Sequence, residues 1–96
     1  MFLIRDIFYT KPGKAKDLVA KFKASVEHLP EGIKNARVMT DFVATYWTVV
    51  LQIEVDELSV YTDMARSFTS KPEVQEIMKG YMDLVTGGKR EIFKVE

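Results

Sequence analysis

The run Tyr46-Trp47-Thr48-Val49-Val50-Leu51-Gln52-Ile53-Glu54-Val55 constrains this chain more than any other stretch. Its residues divide by parity. Trp47, Val49, Leu51, Ile53 and Val55 share one side, and Tyr46, Thr48, Val50, Gln52 and Glu54 share the other. A strand sends alternate side chains to opposite faces, so the first set can be wholly buried while the second forms a mixed face. β-Branched and aromatic residues dominate, which suits a pleated, packed surface. The run predicts a central strand over residues 46–55.

The flanking segments supply its neighbours. Residues 2–10 are apolar on both parities, with Phe2, Ile4 and Phe8 on one and Leu3, Ile7 and Tyr9 on the other; only Arg5 and Asp6 interrupt. This is a first strand, stopped by Lys11-Pro12-Gly13-Lys14, where proline removes a ladder donor and Pro-Gly favours a turn. From Ala15 the period lengthens: Ala15, Leu18, Val19, Phe22, Val26 and Leu29 follow helical spacing, which predicts an amphipathic helix of about four turns ended by Pro30-Glu31-Gly32. Residues 36–43 alternate as a second strand, and 43–45 must turn it back. Leu58, Tyr61, Ala65 and Phe68 stripe a second helix, with Asp56 or Ser59 as its cap. Ser70-Lys71-Pro72-Glu73 has the form of a capping box, so a further helical segment starts there with Val74, Ile77, Met78, Tyr81 and Val85 on its inner face. Gly87-Gly88 reads as its C-terminal cap, and residues 90–96 as a last strand.

The order β-α-β-β-α-β predicts an α+β, ferredoxin-like fold: a four-stranded antiparallel sheet with its helices on one face. Ninety-six residues without a linker or repeat make one domain, 1–96. Such a fold leaves one sheet face uncovered, yet the first strand is apolar on both parities and Tyr46 and Val50 lie on the other central strand's second face. An apolar surface of that size calls for a cover, and a two-fold copy is the simplest one. A homodimer is therefore expected.

Composition excludes several function classes. Fourteen basic residues balance 14 acidic ones with no block of like charge, so nothing on the chain attracts nucleic acid or an anionic membrane. No apolar run reaches membrane-spanning length. Met1 leads into a strand without a basic leader, and there is no cysteine, so a cytoplasmic protein without disulfides or thiolate chemistry is expected. A single histidine and no cysteine supply no zinc or haem ligand set, and no cofactor is expected.

The element order, together with Lys11-Pro12-Gly13-Lys14, Arg37-Val38-Met39-Thr40-Asp41 leading into Thr48-Val49-Val50, and Gly88-Lys89-Arg90-Glu91-Ile92-Phe93, resembles the dimeric α/β-barrel superfamily. That superfamily includes antibiotic-biosynthesis-type monooxygenases, haem-degrading enzymes, stress-responsive barrels and NIPSNAP-like proteins, and the resemblance is strongest to the NIPSNAP-like group. It implies a homodimer and a small apolar ligand. Two departures stand out. Asp6 and Phe8 occupy places where that group often carries Arg-x-Tyr, and Phe42-Val43-Ala44 stands where its hairpin often has Ser-Gly-Pro. The haem-degrading members use a histidine on the second helical region, and this chain has none there.

Asp6 is the most informative single residue, an acid inside an apolar strand. A buried carboxylate must be paired, hydrogen-bonded or protonated, and such groups gather at functional sites. Either it faces a pocket, or it pairs with an arginine such as Arg37 or Arg90, or it is simply exposed at a strand edge. Tyr9, Trp47 and Tyr81 can line a pocket for a planar molecule, or serve as core or interface aromatics. His28, at the end of the first helix, has no evident orienting partner for base catalysis. Three readings follow: a dimeric barrel binding a small apolar or aromatic molecule through Asp6, Tyr9, Trp47 and Tyr81; a cofactor-independent monooxygenase or isomerase acting on a small aromatic substrate; and a non-catalytic association module.

Overall fold

Strand β1 (Phe2–Thr10) lies inside the sheet of a computed structural model that describes all residues, Met1–Glu96. It is followed by α1 (Ala15–Val26), β2 (Lys34–Thr40), β3 (Thr48–Val55), α2 (Leu58–Ser67), α3 (Pro72–Met78), a single 3-10 turn at Tyr81–Asp83, and β4 (Val85–Lys94). The sheet order is β2-β3-β1-β4. Every neighbouring pair is antiparallel, so the apolar runs around residues 2–10 and 46–55 do form the central pair. This is the ferredoxin-like α+β arrangement. The molecule is 18 Å thick along its shortest axis, enough for one sheet and one helical layer. No helix is long and apolar enough to cross a membrane.

Register fixes which side chains meet. Phe2 faces Val55, Ile4 faces Ile53, Asp6 faces Leu51 and Phe8 faces Val49. These form the helix-facing row, and Val49 and Val55 are fully buried in it. On the opposite side Leu3, Arg5, Ile7 and Tyr9 lie beside Glu54, Gln52, Val50 and Thr48. That face carries no helix. Its polar residues pair with one another: Arg5 Nε donates to Gln52 Oε1 at 3.0 Å, and its guanidinium lies over the Phe93 ring.

The core falls into two parts. Ile4, Ile53, Val55, Tyr61 and Met64 pack under α2, while Leu18, Phe22 and Val49 pack under α1. Only 13 of 96 residues are buried, so the two clusters do not merge into one continuous interior.

Several element boundaries differ from those the sequence predicts. β3 begins at Thr48, because Trp47 takes a left-handed backbone (φ 62°) that ends the pairing. The preceding loop is closed instead by polar groups: Thr48 N–H donates to Asp41 Oδ1 at 2.9 Å, and the Thr48 hydroxyl donates to the Thr45 carbonyl. Trp47 is consequently 42% exposed and Tyr46 84% exposed, outside the strand parity that would bury the first and seat the second beside Val50. α1 spans 12 residues, shorter than the predicted four turns, and β2 covers residues 34–40, earlier than its alternation suggests. Gly87 and Gly88 do not cap a helix. They belong to β4, opposite Tyr9 and Phe8, because pairing with the far end of β1 extends that strand back to Val85. The left-handed glycine in this region is Gly80 (φ 82°), between α3 and the 3-10 turn.

Pro72 does occupy the first turn of a separate helix, where its missing N–H costs nothing. Ser70 does not cap it. The Ser70 hydroxyl donates to carbonyls in the turn behind it, Ser67 at 2.9 Å and Arg66 at 3.3 Å, and Lys71 holds the cap position without a side-chain bond. Neither Asp56 nor Ser59 caps α2; Glu57 is at that position, and Asp56 pairs with Lys34 Nζ at 2.7 Å. The far end of α3 is held by α1, where Lys21 Nζ donates to the carbonyls of Ile77 at 3.1 Å and Lys79 at 2.7 Å. An ammonium at a helix C-terminus satisfies orphan carbonyls and favours the dipole.

Candidate functional site

Where the two core clusters part, a half-open cavity of about 450 Å³ lies between the sheet and the helices. The division starts in β1. Its helix-facing row reads Phe2, Ile4, Asp6, Phe8, Thr10, so a carboxylate stands at the midpoint between Ile4 of one cluster and Phe8 beside the other. An apolar residue there could continue the core. An acid cannot be sealed in without compensation, and the layers stay apart above it.

The walls come from every element that covers the sheet. Phe8, Leu51 and Ile53 form the floor, and Phe22 and Leu29 close the α1 side. Met64 and Phe68 from α2, with Val74 and Met78 from α3, form the roof, and Tyr81 from the 3-10 turn completes it. Phe8 and Phe22 touch as a tilted aromatic pair, 5.1 Å between centroids. Two methionines in the roof give a wall of soft, adaptable side chains. The cavity lies within the size range of small-molecule sites.

One end is polar. Arg90 faces Asp6 across the β1–β4 ladder, and its Nε donates a short hydrogen bond to Asp6 Oδ1. The same guanidinium lies 5.4 Å from the centroid of the Tyr61 ring. Asp6 is 20% exposed and Arg90 57% exposed at the side chain, so the group sits at the cavity's rim. The bond to Asp6 holds the Arg90 guanidinium more firmly protonated than usual. Burial, reinforced by the nearby Asp6 charge, pushes the Tyr61 hydroxyl above its ordinary value, with Arg90 opposing. Tyr61 is therefore a neutral phenol at physiological pH.

Four residues were candidates on sequence grounds, and the structure brings two of them together. Asp6 and Tyr81 line the cavity at different points of its wall. Tyr9 lies on the opposite face of the sheet, opposite Thr48 and Gly87, because odd positions of β1 point away from the helices. Trp47 lies in a separate shallow groove with Ala15, Val19 and Tyr46, outside this cavity. The pocket and ion-pair readings of Asp6 turn out to describe one arrangement. The partner is Arg90, and the pair borders the cavity. Arg37 is on the uncovered face, across from Gln52. Sequence reasoning missed Tyr61 as the third polar member, since helical spacing shows only that it faces inward. No group of three His, Cys, Asp or Glu side chains is placed to hold a metal ion. His28 contributes its carbonyl, which accepts from Lys71 Nζ at 3.1 Å.

Neither a protein-family profile nor a curated protein sequence matches the chain. Solved structures do. A NIPSNAP-domain protein from Burkholderia xenovorans superposes with a TM-score of 0.82 over 100% of this chain and 95% of that one, at 13% identity. The chain shares that protein's ferredoxin-like fold. A NIPSNAP family protein of unknown function from Agrobacterium tumefaciens gives a TM-score of 0.81 at 13% identity, covering 99% of this chain and 87% of its own. A candidate antibiotic biosynthesis monooxygenase from Chloroflexus aurantiacus gives 0.75 at 15% identity, covering 96% and 89%. The NIPSNAP-type and monooxygenase-type structures thus share this architecture, as the sequence resemblance implies, and at these identities the likeness concerns the fold alone.

Proposed function

We propose that this protein binds a small, largely apolar or aromatic molecule in the cavity between its sheet and helices. The observation that carries this reading is the division of the core: about 450 Å³ lined mainly by apolar side chains, with the Asp6–Arg90–Tyr61 cluster at its rim and Ser25, Thr69 and Gln75 as the other polar residues of its wall. Water in such a space gives up hydrogen bonds to apolar walls, and a ligand that displaces it gains roughly 25 cal/mol per Å² of apolar surface covered. The test is a fluorescence titration with the neutral apolar probe N-phenyl-naphthylamine. Saturable binding is expected, and Met78→Trp, which puts an indole into the space, should weaken it at least about tenfold. Equal binding by wild type and Met78→Trp would place the probe elsewhere and refute the reading.

The uncovered sheet face supports a second element of the proposal, a homodimer packed sheet to sheet. Leu3, Ile7, Val50 and Phe93 lie there with no helix over them, and Phe93 is half exposed. The interspersed Arg5, Gln52 and Glu91 are already engaged with one another, while Glu54 and Arg37 on the same face have no partner within the protein, so a second copy would have to pair them as it covers the face.

The fold's occurrence in a candidate antibiotic biosynthesis monooxygenase supports cofactor-independent oxygenation of a bound aromatic as a second reading. Dioxygen uptake with an electron-rich phenol in the cavity would favour it, and binding without turnover would leave the ligand-binding reading alone.

A further inference from the structure

The polar end of the cavity is built in a way that selects among ligand head groups. Arg90 carries five N–H donors, and only the one on Nε is committed to Asp6. The rest are available at the rim, where Arg90 is more than half exposed. The Tyr61 hydroxyl makes no hydrogen bond within the protein, yet no buried side-chain polar atom is left sealed and unpaired, so this hydroxyl is accessible, on a side chain that lines the cavity. Asp6 uses Oδ1 toward Arg90 and keeps Oδ2 as an acceptor. Free donors, a free acceptor and a neutral phenol thus stand together, and their formal charge is zero because the guanidinium and carboxylate cancel.

Resting on the proposed apolar-ligand site, we infer that the ligand's head is an uncharged group that both donates and accepts hydrogen bonds, such as a carboxamide, a phenol or a hydroxy-ketone, and is not a carboxylate. A carboxylate head would find donors on Arg90, but would come within a few ångströms of the like-charged Asp6 carboxylate that already neutralises this arginine. A carboxylate also donates nothing, so Asp6 Oδ2 would lose water without gaining a partner. A carboxamide satisfies both sides: its oxygen accepts from Arg90 or Tyr61, and its N–H₂ donates to Asp6. Asp6 is therefore a specificity residue as well as an anchor for Arg90.

Two probes of nearly equal size isolate the charge: para-pentylbenzamide and para-pentylbenzoate, titrated calorimetrically at neutral pH. Wild type should prefer the amide by at least about tenfold, a small part of what a bare like-charge contact at an effective dielectric near 20 would give, because the Arg90 donors offset most of that repulsion. Asp6→Asn leaves the Arg90 charge uncompensated and should reverse the order in favour of the benzoate. Arg90→Gln removes the main donor while keeping Asp6, and should reject the benzoate still more strongly than wild type does. Equal affinities, or a benzoate preference in wild type, would overturn the inference while leaving the cavity as a binding site. Failure of both probes to bind would overturn the ligand-binding reading and this inference with it. The wild-type ranking needs no variant, so a poorly folding Asp6→Asn cannot shield the inference.

Discussion

Replacing either of two adjacent glycines by alanine should give opposite results. Gly87 and Gly88 sit side by side in β4, paired with Tyr9 and Phe8. A methyl group on Gly87 would meet nothing within 4 Å. One on Gly88 would stand 2.3 Å from the backbone carbonyl oxygen of Ile7, nearly 1 Å inside the ordinary contact distance of about 3.3 Å. Backbone cannot rotate away as a side-chain tip can, so β4 must lift from β1. Overpacking of this kind costs about 1–3 kcal/mol, and each ladder hydrogen bond lost near it about 1 kcal/mol more. Gly88→Ala should therefore destabilise by about 3 kcal/mol, lowering Tm by roughly 12–24 °C for a domain of this size. Gly87→Ala should be neutral or slightly stabilising, since alanine loses less chain entropy than glycine in a strand. Thermal melts followed by circular dichroism measure both. A Gly88→Ala protein melting within about 3 °C of Gly87→Ala would refute the close approach, because even the smallest overpacking cost exceeds that.

Three other outcomes follow from the same geometry. Val50→Lys places an ammonium on the uncovered face between Ile7 and Met39, so sedimentation should show the proposed dimer dissociating; a wild-type monomer at micromolar concentration would refute the dimer itself. Ser70→Ala should shift stability by less than about 0.5 kcal/mol in denaturant unfolding, because its hydroxyl caps no N–H; a loss near 1 kcal/mol would restore the capping role that its sequence context suggests. Ultraviolet titration should show a tyrosine ionising above the ordinary phenol value, and Tyr61→Phe should remove it. Since the folded value is the higher one, any stability tied to the Tyr61 proton is whole below the unfolded value near 10 and is lost as pH rises through the folded one.

The sequence by itself determined the layers and their order. Alternation in residues 2–10 and 46–55, helical spacing from Ala15, and Pro72 as a helix start are local signals, legible because period depends only on backbone geometry. Asp6 could be singled out for the same reason: an acid amid Phe2, Leu3, Ile4, Ile7 and Phe8 conflicts with its neighbours on any fold. What surrounds Asp6 was not legible. Arg90 is 84 residues away in the chain and meets Asp6 through the β1–β4 register, and Tyr61 joins them only because α2 packs over that part of the sheet. Tyr9 and Trp47 show the converse. Aromatic character marked them as pocket candidates, but one residue of parity turned Tyr9 to the other face, and a left-handed turn took Trp47 out of its strand. Gly87-Gly88 has the look of a cap until strand pairing claims it. Whether a glycine ends a helix or lets two backbones close together is decided by what lies across from it, and that is a property of tertiary structure alone.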